Sequence, residues 1–307
     1  MQRVLITGGS GLLALNWACC MRDQFDVVLG THRHAVNLQG TRSAEIDLDT
    51  TSRLTEQLLE IKPDVVIHTA GMTSVEHCEQ HPYEAEQANV VLAKHVAAVT
   101  NQMSIKLVHI STDHLFAGHR AYVSEDEKPQ PMNVYARTKL QAEQQVAELN
   151  SDALIVRTNF FGWGHAHRQS FSDWIIASLR AGQSITAFDD VFFTPILADD
   201  LATAAHEVMK KGERGIYNIV GDERLSKFEF AGRLAEQLEL PKTLISRGQI
   251  GISTQSVVRP HDMSLDNSKV RGTLGRDIGS LDEFLKRLNR QEQEGRAEEL
   301  RNAVTEI

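Results

Sequence analysis

The sequence predicts an α/β protein built on a doubly wound parallel sheet, with a smaller lobe towards the C-terminus. Two observations predict this class. Short apolar runs, each long enough for one buried strand, alternate with segments of helical periodicity through the first half of the chain. A glycine-rich turn also joins the first apolar run to the first helix, which is typical of a dinucleotide-binding βα unit. Ligands bind such sheets at the carboxyl ends of the strands, where we therefore expect the functional residues.

The predicted elements follow this alternation along the chain. We expect strands at 4–7, 26–29, 44–46, 65–68, 106–110 and 153–156. Helices are predicted between them, at 15–21, 54–61, about 83–101 and from Tyr135 onward. Residues 1–160 then form the dinucleotide-binding domain, and residues 161–307 form mainly a substrate-binding lobe with a C-terminal helical tail. Elements of about 185–215 are expected to return to the sheet, and the stretch from Gln291 is expected to be an exposed helix or a partly disordered tail.

Composition narrows the class of partner. The net charge of −9 argues against non-specific binding to nucleic acid or to an anionic membrane. No apolar run approaches the ~20 residues that a membrane helix requires, and the chain begins directly with a strand, so we expect no signal peptide. The three cysteines, Cys19, Cys20 and Cys78, indicate reduced residues of a cytoplasmic protein.

The glycine-rich turn predicts a Rossmann-type nucleotide site. Gly8 permits the tight turn, and Gly11 lets the backbone approach a pyrophosphate. Leu12 and Leu13 follow the glycines and are expected cofactor contacts, and the N-terminus of the first helix supplies free N–H groups and the positive end of a dipole. The third small residue of the pattern is Ala14.

The residues after the second strand predict the preferred cofactor. An NAD-binding chain usually places Asp or Glu there to bind the ribose 2′-hydroxyl, whereas this chain has Thr31, His32 and Arg33 and no carboxylate until Glu45. Arg33 could pair with a 2′-phosphate, so we expect NADPH rather than NADH; the alternative is that this segment is a solvated turn. Further cofactor contacts are expected after the third and fourth strands, at Asp47, Leu48, Ala70 and Gly71.

A tyrosine and a lysine spaced four residues apart predict the chemistry. Tyr135 and Lys139 would project from one face of a helix. A lysine ammonium beside a phenol stabilises the phenolate, so we expect a lowered pKa for Tyr135. Ser111 and Thr112 follow a predicted strand and could hold a substrate carbonyl against the phenol. Such a set protonates or deprotonates an oxygen while hydride moves at the attached carbon.

These motifs together resemble a known family. Gly8-x-x-Gly11-x-x-Ala14, Ser111-Thr112-Asp113, Tyr135-x-x-x-Lys139 and Arg157-Thr158 resemble the extended short-chain dehydrogenase/reductases. The segments 68–76, 111–118, 193–195 and 259–266 resemble the dTDP-4-dehydrorhamnose reductases and related nucleotide-sugar ketoreductases. The resemblance covers about residues 1–290.

The resemblance implies an activity and a role for each matching residue. It implies NAD(P)H-dependent reduction of a nucleotide-activated 4-keto-6-deoxysugar, as in dTDP-rhamnose and cell-surface polysaccharide biosynthesis, by a homodimer. Thr112 would hold the substrate oxygen, Tyr135 would donate the proton, Lys139 would bind the nicotinamide ribose, and Thr158 would lie near the nicotinamide. The implied substrate-binding residues are Thr73, Glu76, Asp113, His114, Asn159, Phe160 and Arg259.

The chain departs from this subgroup at three substrate-facing positions. His77, His114 and Phe160 stand where the reductases tend to have Lys, Tyr and Trp, which leaves the sugar open. A nucleotide-sugar dehydratase is disfavoured because it requires a Glu at position 114. A 4-epimerase with the same three catalytic residues and a non-catalytic NADP-binding regulatory subunit both remain alternatives.

Alternating histidines occur twice, at His32 and His34 and at His165 and His167. Without nearby Cys or carboxylate ligands, such pairs are more often surface residues than metal ligands. We therefore expect no metal site.

Overall fold

The structure, a computed structural model, describes residues 1–32, 34–252 and 257–306. Arg33, for which a 2′-phosphate contact is expected, lies outside the described residues. Within the described part, the strands are β1 Arg3–Thr7, β2 Asp26–Thr31, β3 His34–Val36, β4 Arg42–Glu45, β5 Val65–His68, β6 Lys106–Ile110, β7 Leu154–Arg157, β8 Phe160–Phe161, β9 Ile185–Phe188, β10 Phe192–Phe193, β11 Ile196–Leu197, β12 Gly215–Asn218, β13 Leu225–Ser226, β14 Ile245–Gly248 and β15 Val304–Glu306.

The helices connect these strands. They are α1 Leu12–Met21, α2 Thr51–Ile61, α3 Val75–Gln80, α4 Pro82–Glu86, α5 Leu92–Gln102, α6 Val134–Leu149, α7 Phe171–Arg180, α8 Ala198–Lys210, α9 Lys227–Gln237, α10 Ser268–Leu274, α11 Leu281–Gln293 and α12 Arg296–Asn302. A π-helical turn, Gln87–Val91, joins α4 to α5, so the predicted helix of about 83–101 is continuous in space. Short 3₁₀ turns occupy Lys242–Leu244 and Ile250–Ile252.

Seven of the described strands form a parallel sheet in the order β12-β7-β6-β5-β1-β2-β4. The chain therefore winds outward from β1 through β2 to β4, then returns and winds outward in the other direction from β5. The connections that follow β1 and β5 lead to opposite sides of this switch point, which opens a crevice for a ligand at the carboxyl ends of the two strands. The predicted doubly wound α/β fold is confirmed.

An apolar layer covers each face of the sheet, so its strands are buried on both faces. On one face Trp17 and Leu15 of α1 pack with Leu201 and Val208 of α8. On the other face, the buried residues of α2, α5 and α6 pack against the alternate side chains of the strands. This arrangement fixes the N-terminus of α1 and the first turns of α6 at the same sheet edge.

The second half of the chain divides between the sheet and a separate lobe. β12 extends the sheet beside β7, and α8 packs on α1. The two-stranded ladders β9 with β14 and β10 with β13 lie outside the sheet. Lys227, the first residue of α9, lies in this lobe with its Nζ 3.2 Å from the centroid of the Phe193 ring.

The C-terminal stretch differs from the expectation of an exposed or partly disordered tail. Ala297 and Leu300 of α12 are buried in the main core, and Glu299 forms an ion pair with Arg22. β15 then pairs antiparallel with β3. Glu294 and Glu298 are exposed, whereas the buried apolar residues and the ion pair of Glu299 dock the tail on the sheet domain.

Candidate functional site

A cavity of about 390 Å³ opens at the carboxyl edge of the sheet, where the switch point predicts a ligand site. It extends from the turn after β1 to the residues after β6 and the first turns of α6. A second cavity of about 230 Å³ continues from Gly8 and Ser10 towards the ends of β2 and β4. The two cavities form one cleft across the edge of the sheet, as an extended dinucleotide would require.

The turn after β1 has the geometry of a phosphate cradle. Gly8 has a φ of 67°, and a Cβ atom there would lie 2.8 Å from the Cα of Ala70. The Gly11 N–H donates a 2.7 Å hydrogen bond to the Gly8 carbonyl, which closes the turn. No side chain caps the N-terminus of α1 at Gly11, so its first amides remain available for an anion. These features fit the pyrophosphate of a dinucleotide.

Helix α6 presents Tyr135 and Lys139 to the cavity. It begins at Val134 because the Asn133 side chain accepts the Ala136 N–H at 2.9 Å. The four-residue spacing then places both side chains on one face, and both are buried. Thr112, which follows β6, lines the same wall, and its hydroxyl lowers the pKa of Tyr135. The hydroxyl, the phenol and the ammonium that the sequence singles out therefore meet at one cavity wall.

The pKa of Tyr135 moves in the direction opposite to the expectation. Burial raises it to about 12; the Thr112 hydroxyl lowers it and the Asp113 carboxylate raises it. Withdrawal from water thus outweighs the contributions that favour the phenolate. Tyr135 is a protonated phenol at neutral pH, which is the form that donates a proton.

Lys139 lies in an unusually dry position for a cation. Its Nζ donates a 2.7 Å hydrogen bond to the carbonyl oxygen of Ile110, at the end of β6. Burial lowers the pKa of Lys139 to about 8, while the Glu143 carboxylate one helical turn away raises it. The stacked rings of His68 and His109 lie 5.4 Å apart on β5 and β6, and burial, with Lys139 as the next cause, lowers the pKa of each. These neutral histidines leave Lys139 as the local positive charge.

Asp113 lines the cavity beside Asn159 and His114. Its carboxylate is buried and accepts a 2.5 Å hydrogen bond from Asn159 Nδ2. His114 Nε2 lies 4.0 Å from the same carboxylate, and its ring meets Tyr135 edge-on with centroids 5.7 Å apart. Burial lowers the pKa of His114, and within the described residues its Nδ1 atom is buried without a hydrogen-bond partner.

The structure brings most of the expected site residues to this cleft. The first cavity is lined, among the expected catalytic and cofactor residues, by Gly8, Gly11, Leu12, Leu13, Ala70, Gly71, Thr112, Tyr135, Lys139 and Thr158. Its wall also includes the expected substrate residues Thr73, Asp113, His114, Asn159 and Phe160. Leu48 lines the second cavity.

Three of the expected site residues line neither of the two cavities. Glu76 and Arg259 form an ion pair with each other. The Asp47 carboxylate accepts the Asp49 N–H at 2.8 Å, and Asp49 is the residue that lines the second cavity. The Glu76–Arg259 pair joins segments far apart in the chain, which motif spacing does not contain.

Asn89 and Arg168 also line the first cavity, and sequence reasoning missed both. Asn89, in the π-helical turn, accepts the Met72 N–H at 2.7 Å and donates to Thr138 at 2.9 Å, so it ties the strand β5 loop to α6. A polar residue within the apolar run of a helix was the available signal for it. Arg168 lines the cavity and donates a hydrogen bond to Thr73. No pattern in the sequence distinguishes it from other loop arginines.

In the described part of the chain, His, Cys, Asp and Glu side chains form no group that could hold a metal ion. None of the described helices combines the length and the apolar character needed to cross a membrane. Cys19, Cys20 and Cys78 are free thiols, and burial raises the pKa of each.

The doubly wound sheet, the glycine cradle and the Thr112, Tyr135 and Lys139 wall define an NAD(P)-dependent oxidoreductase of the extended short-chain dehydrogenase/reductase class. The chain belongs to the family described as RmlD substrate binding domain, which it matches over residues 1–293. The resemblance inferred from the motifs is therefore confirmed.

Known relatives carry different functions on this framework. The chain is 29% identical over 284 residues to the probable low-salt glycan biosynthesis reductase of Haloferax volcanii, covering 91% of this chain and 95% of that protein. It is 26% identical over 299 residues to the methionine adenosyltransferase 2 subunit beta of Bos taurus, covering 89% and 83%. In fold it is similar to the dTDP-4-dehydrorhamnose reductase of Bacillus anthracis in complex with NADP, with a TM-score of 0.84, 24% identity and coverage of 95% of this chain and 100% of that one.

Proposed function

We propose that this protein reduces the carbonyl group of a nucleotide-activated 4-keto-6-deoxysugar with NADPH. One observation carries the proposal: Thr112, Tyr135 and Lys139 share a cavity wall with the glycine cradle after β1. Family membership supports the same class of reaction. The bound dinucleotide would supply the hydride, and the backbone around Gly8 and Gly11 would hold its pyrophosphate.

The side chains supply the proton and the orientation. Thr112 would donate a hydrogen bond to the sugar carbonyl oxygen, which polarises the C=O bond. Tyr135 would donate its proton to that oxygen as hydride adds to the carbon, so the product is an alcohol and NADPH becomes NADP⁺. Lys139 would hold the nicotinamide ribose and stabilise the phenolate that remains.

Substrate selection is proposed to depend on Asp113, His114, Asn159 and Phe160. The buried Asp113 carboxylate and the Asn159 amide offer paired acceptors and donors for sugar hydroxyls. His114 lines the same cavity, and among the described residues its Nδ1 atom is buried without a hydrogen-bond partner. A buried polar atom discriminates strongly between a substrate that satisfies it and one that does not.

The proposal is tested by measuring NADPH oxidation with a panel of nucleotide 4-keto-6-deoxysugars. We expect one or a few members to be reduced, with formation of the corresponding alcohol seen by mass spectrometry. His114→Tyr should change the order of preference within the panel, because it replaces the unsatisfied ring nitrogen with a longer phenol. Tight NADPH binding without reduction of any member would contradict the proposal.

The charge of Lys139 predicts a pH dependence. We expect kcat/KM to decline as pH rises above about 8, because burial lowers the pKa of Lys139 to about 8 while Tyr135, with a pKa of about 12, stays protonated. The measurement is the pH profile of kcat/KM for the best panel substrate.

Two arginine variants identify the group responsible for that decline. Arginine keeps its charge throughout the range, so Lys139→Arg should remove the decline even if the rate is lower. Lys227 also has its pKa lowered to about 8 by burial, and Lys227→Arg should keep the decline. The opposite pattern would assign the decline to Lys227 and contradict the role given to Lys139.

A second candidate function is a regulatory subunit of another enzyme. The likeness to methionine adenosyltransferase 2 subunit beta favours it, because the chain covers 83% of that protein. Under this alternative a defined enzyme would co-purify with the chain, and its rate would change on addition of the chain while no ketosugar is reduced.

We also propose that the protein is cytoplasmic and forms a homodimer through helices beside α6. Its three free thiols agree with a reducing compartment. Tyr83, at the start of the α4–α5 unit that packs on α6, exposes 73% of its surface, which suits an interface between copies. Light scattering of the eluted protein measures the mass directly.

A further inference from the structure

The elements α12 and β15 lie against one end of the cofactor cleft. They follow residue 293, where the family match ends. β15 pairs antiparallel with β3, and Thr305 lies opposite Ala35 in this ladder. The pairing extends one residue pair further, because the Asn37 N–H donates a 2.8 Å hydrogen bond to the Ala303 carbonyl. We call residues 296–306, which comprise α12 and β15, the strap.

The strand that the strap pairs with forms part of the wall of the second cavity. This wall includes Thr31 and His32, at the end of β2, and His34, the first residue of β3. Among the described strands, β3 pairs with β15 and with no strand of the seven-stranded sheet. In a Rossmann-type sheet, the end of the second strand meets the adenosine half of a dinucleotide. The ladder that holds this part of the wall is therefore supplied by a segment far along the chain.

Apolar contacts and an arginine dock the strap on the sheet domain. Val304 of β15 and its register partner Val36 of β3 are both buried in the main core. Just after α1, the Arg22 guanidinium donates to the Glu299 carboxylate on α12 and, at 2.8 Å, to the Gln39 carbonyl in the loop after β3. Separating the strap from β3 would break the ladder and expose this apolar surface, so the two elements form one docked unit.

We propose that the strap positions the adenosine half of the dinucleotide, because it holds β3 in place and so forms the wall of the second cavity before the cofactor binds. This inference rests on the proposed NADPH-dependent function. Without the ladder, only a fraction of the molecules has a competent wall, and the apparent dissociation constant of the cofactor rises by the inverse of that fraction. The catalytic step is spared, because Thr112, Tyr135 and Lys139 line the first cavity.

A proline at position 305 tests the ladder itself. Bonded and unbonded residue pairs alternate along an antiparallel ladder. The bond between Asn37 and Ala303 therefore predicts that Thr305, two residues further, exchanges both backbone hydrogen bonds with Ala35. Thr305→Pro removes the N–H of this pair, and the Thr305 side chain is exposed, so the change acts on the backbone. Thr305→Ala keeps the N–H and is the matched control.

The first measurement is the dissociation constant of NADPH, by calorimetry on the full chain. We expect Thr305→Pro to raise this constant roughly tenfold, as for a wall that is competent in about a tenth of the molecules. Thr305→Ala should leave it unchanged. The KM for NADPH should rise in parallel, while kcat at saturating NADPH stays within about twofold of wild type. Unchanged NADPH affinity in Thr305→Pro would overturn the inference.

Fragments of the cofactor separate positioning from a general disturbance of the fold. Thr305→Pro should weaken binding of 2′,5′-ADP, the adenosine half, as much as binding of NADPH, and leave binding of reduced nicotinamide mononucleotide unchanged. Equal weakening of both fragments would show a disturbance of the whole cleft and overturn the inference.

The wild-type chain provides a test that depends on no variant. Because coupling between two sites is reciprocal, saturating 2′,5′-ADP should slow amide hydrogen exchange at residues 34–37 and 303–305. Exchange that the fragment leaves unchanged at these residues would overturn the inference alone. A wild-type chain that binds neither NADPH nor NADH would overturn the proposed function together with it.

Discussion

Replacing Tyr135 with phenylalanine is expected to lower kcat for ketosugar reduction roughly 10²–10⁴-fold, the usual contribution of a positioned general acid. We propose the phenol as the proton donor beside Thr112, and its pKa of about 12 keeps it protonated at neutral pH. The ring remains in Tyr135→Phe, so the cavity keeps its shape and NADPH affinity should change by no more than about twofold. The measurement is kcat by NADPH oxidation together with the dissociation constant of NADPH.

Tyr217 offers a matched control for the same chemical change. Tyr217 lies on β12, the strand at one edge of the sheet. Its hydroxyl donates a 2.5 Å hydrogen bond to the Glu213 carboxylate. Tyr217→Phe should lower the free energy of unfolding by about 1 kcal/mol and leave kcat unchanged. A Tyr135→Phe enzyme that keeps more than about a tenth of the wild-type kcat would show that another group donates the proton.

The sheet could be predicted from the sequence because its strands depend on local patterns. The runs at Val4–Thr7 and Val65–His68 are continuous and apolar, and a parallel strand covered on both faces requires this composition. The pairing of β15 with β3 could not be predicted, because it joins segments at opposite ends of the chain. The three-residue strands β3 and β15 are too short for a recognisable periodicity. They pair because the packing of α12 on the main core brings β15 beside β3.

The candidate site also contains residues that local patterns predict and residues that only the folded chain brings together. Gly8, Tyr135 and Lys139 belong to motifs whose spacing has a local geometric reason, and all three line the cleft. Asn89 and Arg168 enter the site through contacts with residues far away in sequence. The direction of the Tyr135 pKa also depends on burial, a property of the assembled fold and not of a four-residue spacing.

Beneath this site, a buried ion pair is expected to control both stability and the charge of Lys139. Glu143 lies one helical turn beyond Lys139, and Arg157 Nη2 donates to it at 2.8 Å, with Nε forming a second contact at 3.0 Å. The two side chains are only 2% and 3% exposed. Glu143→Gln leaves the Arg157 guanidinium buried without its counter-charge, which should lower the free energy of unfolding by about 3–5 kcal/mol in urea denaturation.

A double variant separates the structural effect from the electrostatic effect. Glu143→Leu with Arg157→Met removes both charges and should recover most of the stability lost by either single change, because well-packed apolar residues replace a buried pair at little cost. The Glu143 carboxylate raises the pKa of Lys139, however, so the double variant should still deprotonate Lys139 at lower pH. The decline in kcat/KM would then begin below about pH 8 in a stably folded enzyme. An unshifted decline in that variant would mean that Glu143 serves only the fold, whereas a shifted one would show that the pair keeps the site lysine charged at neutral pH.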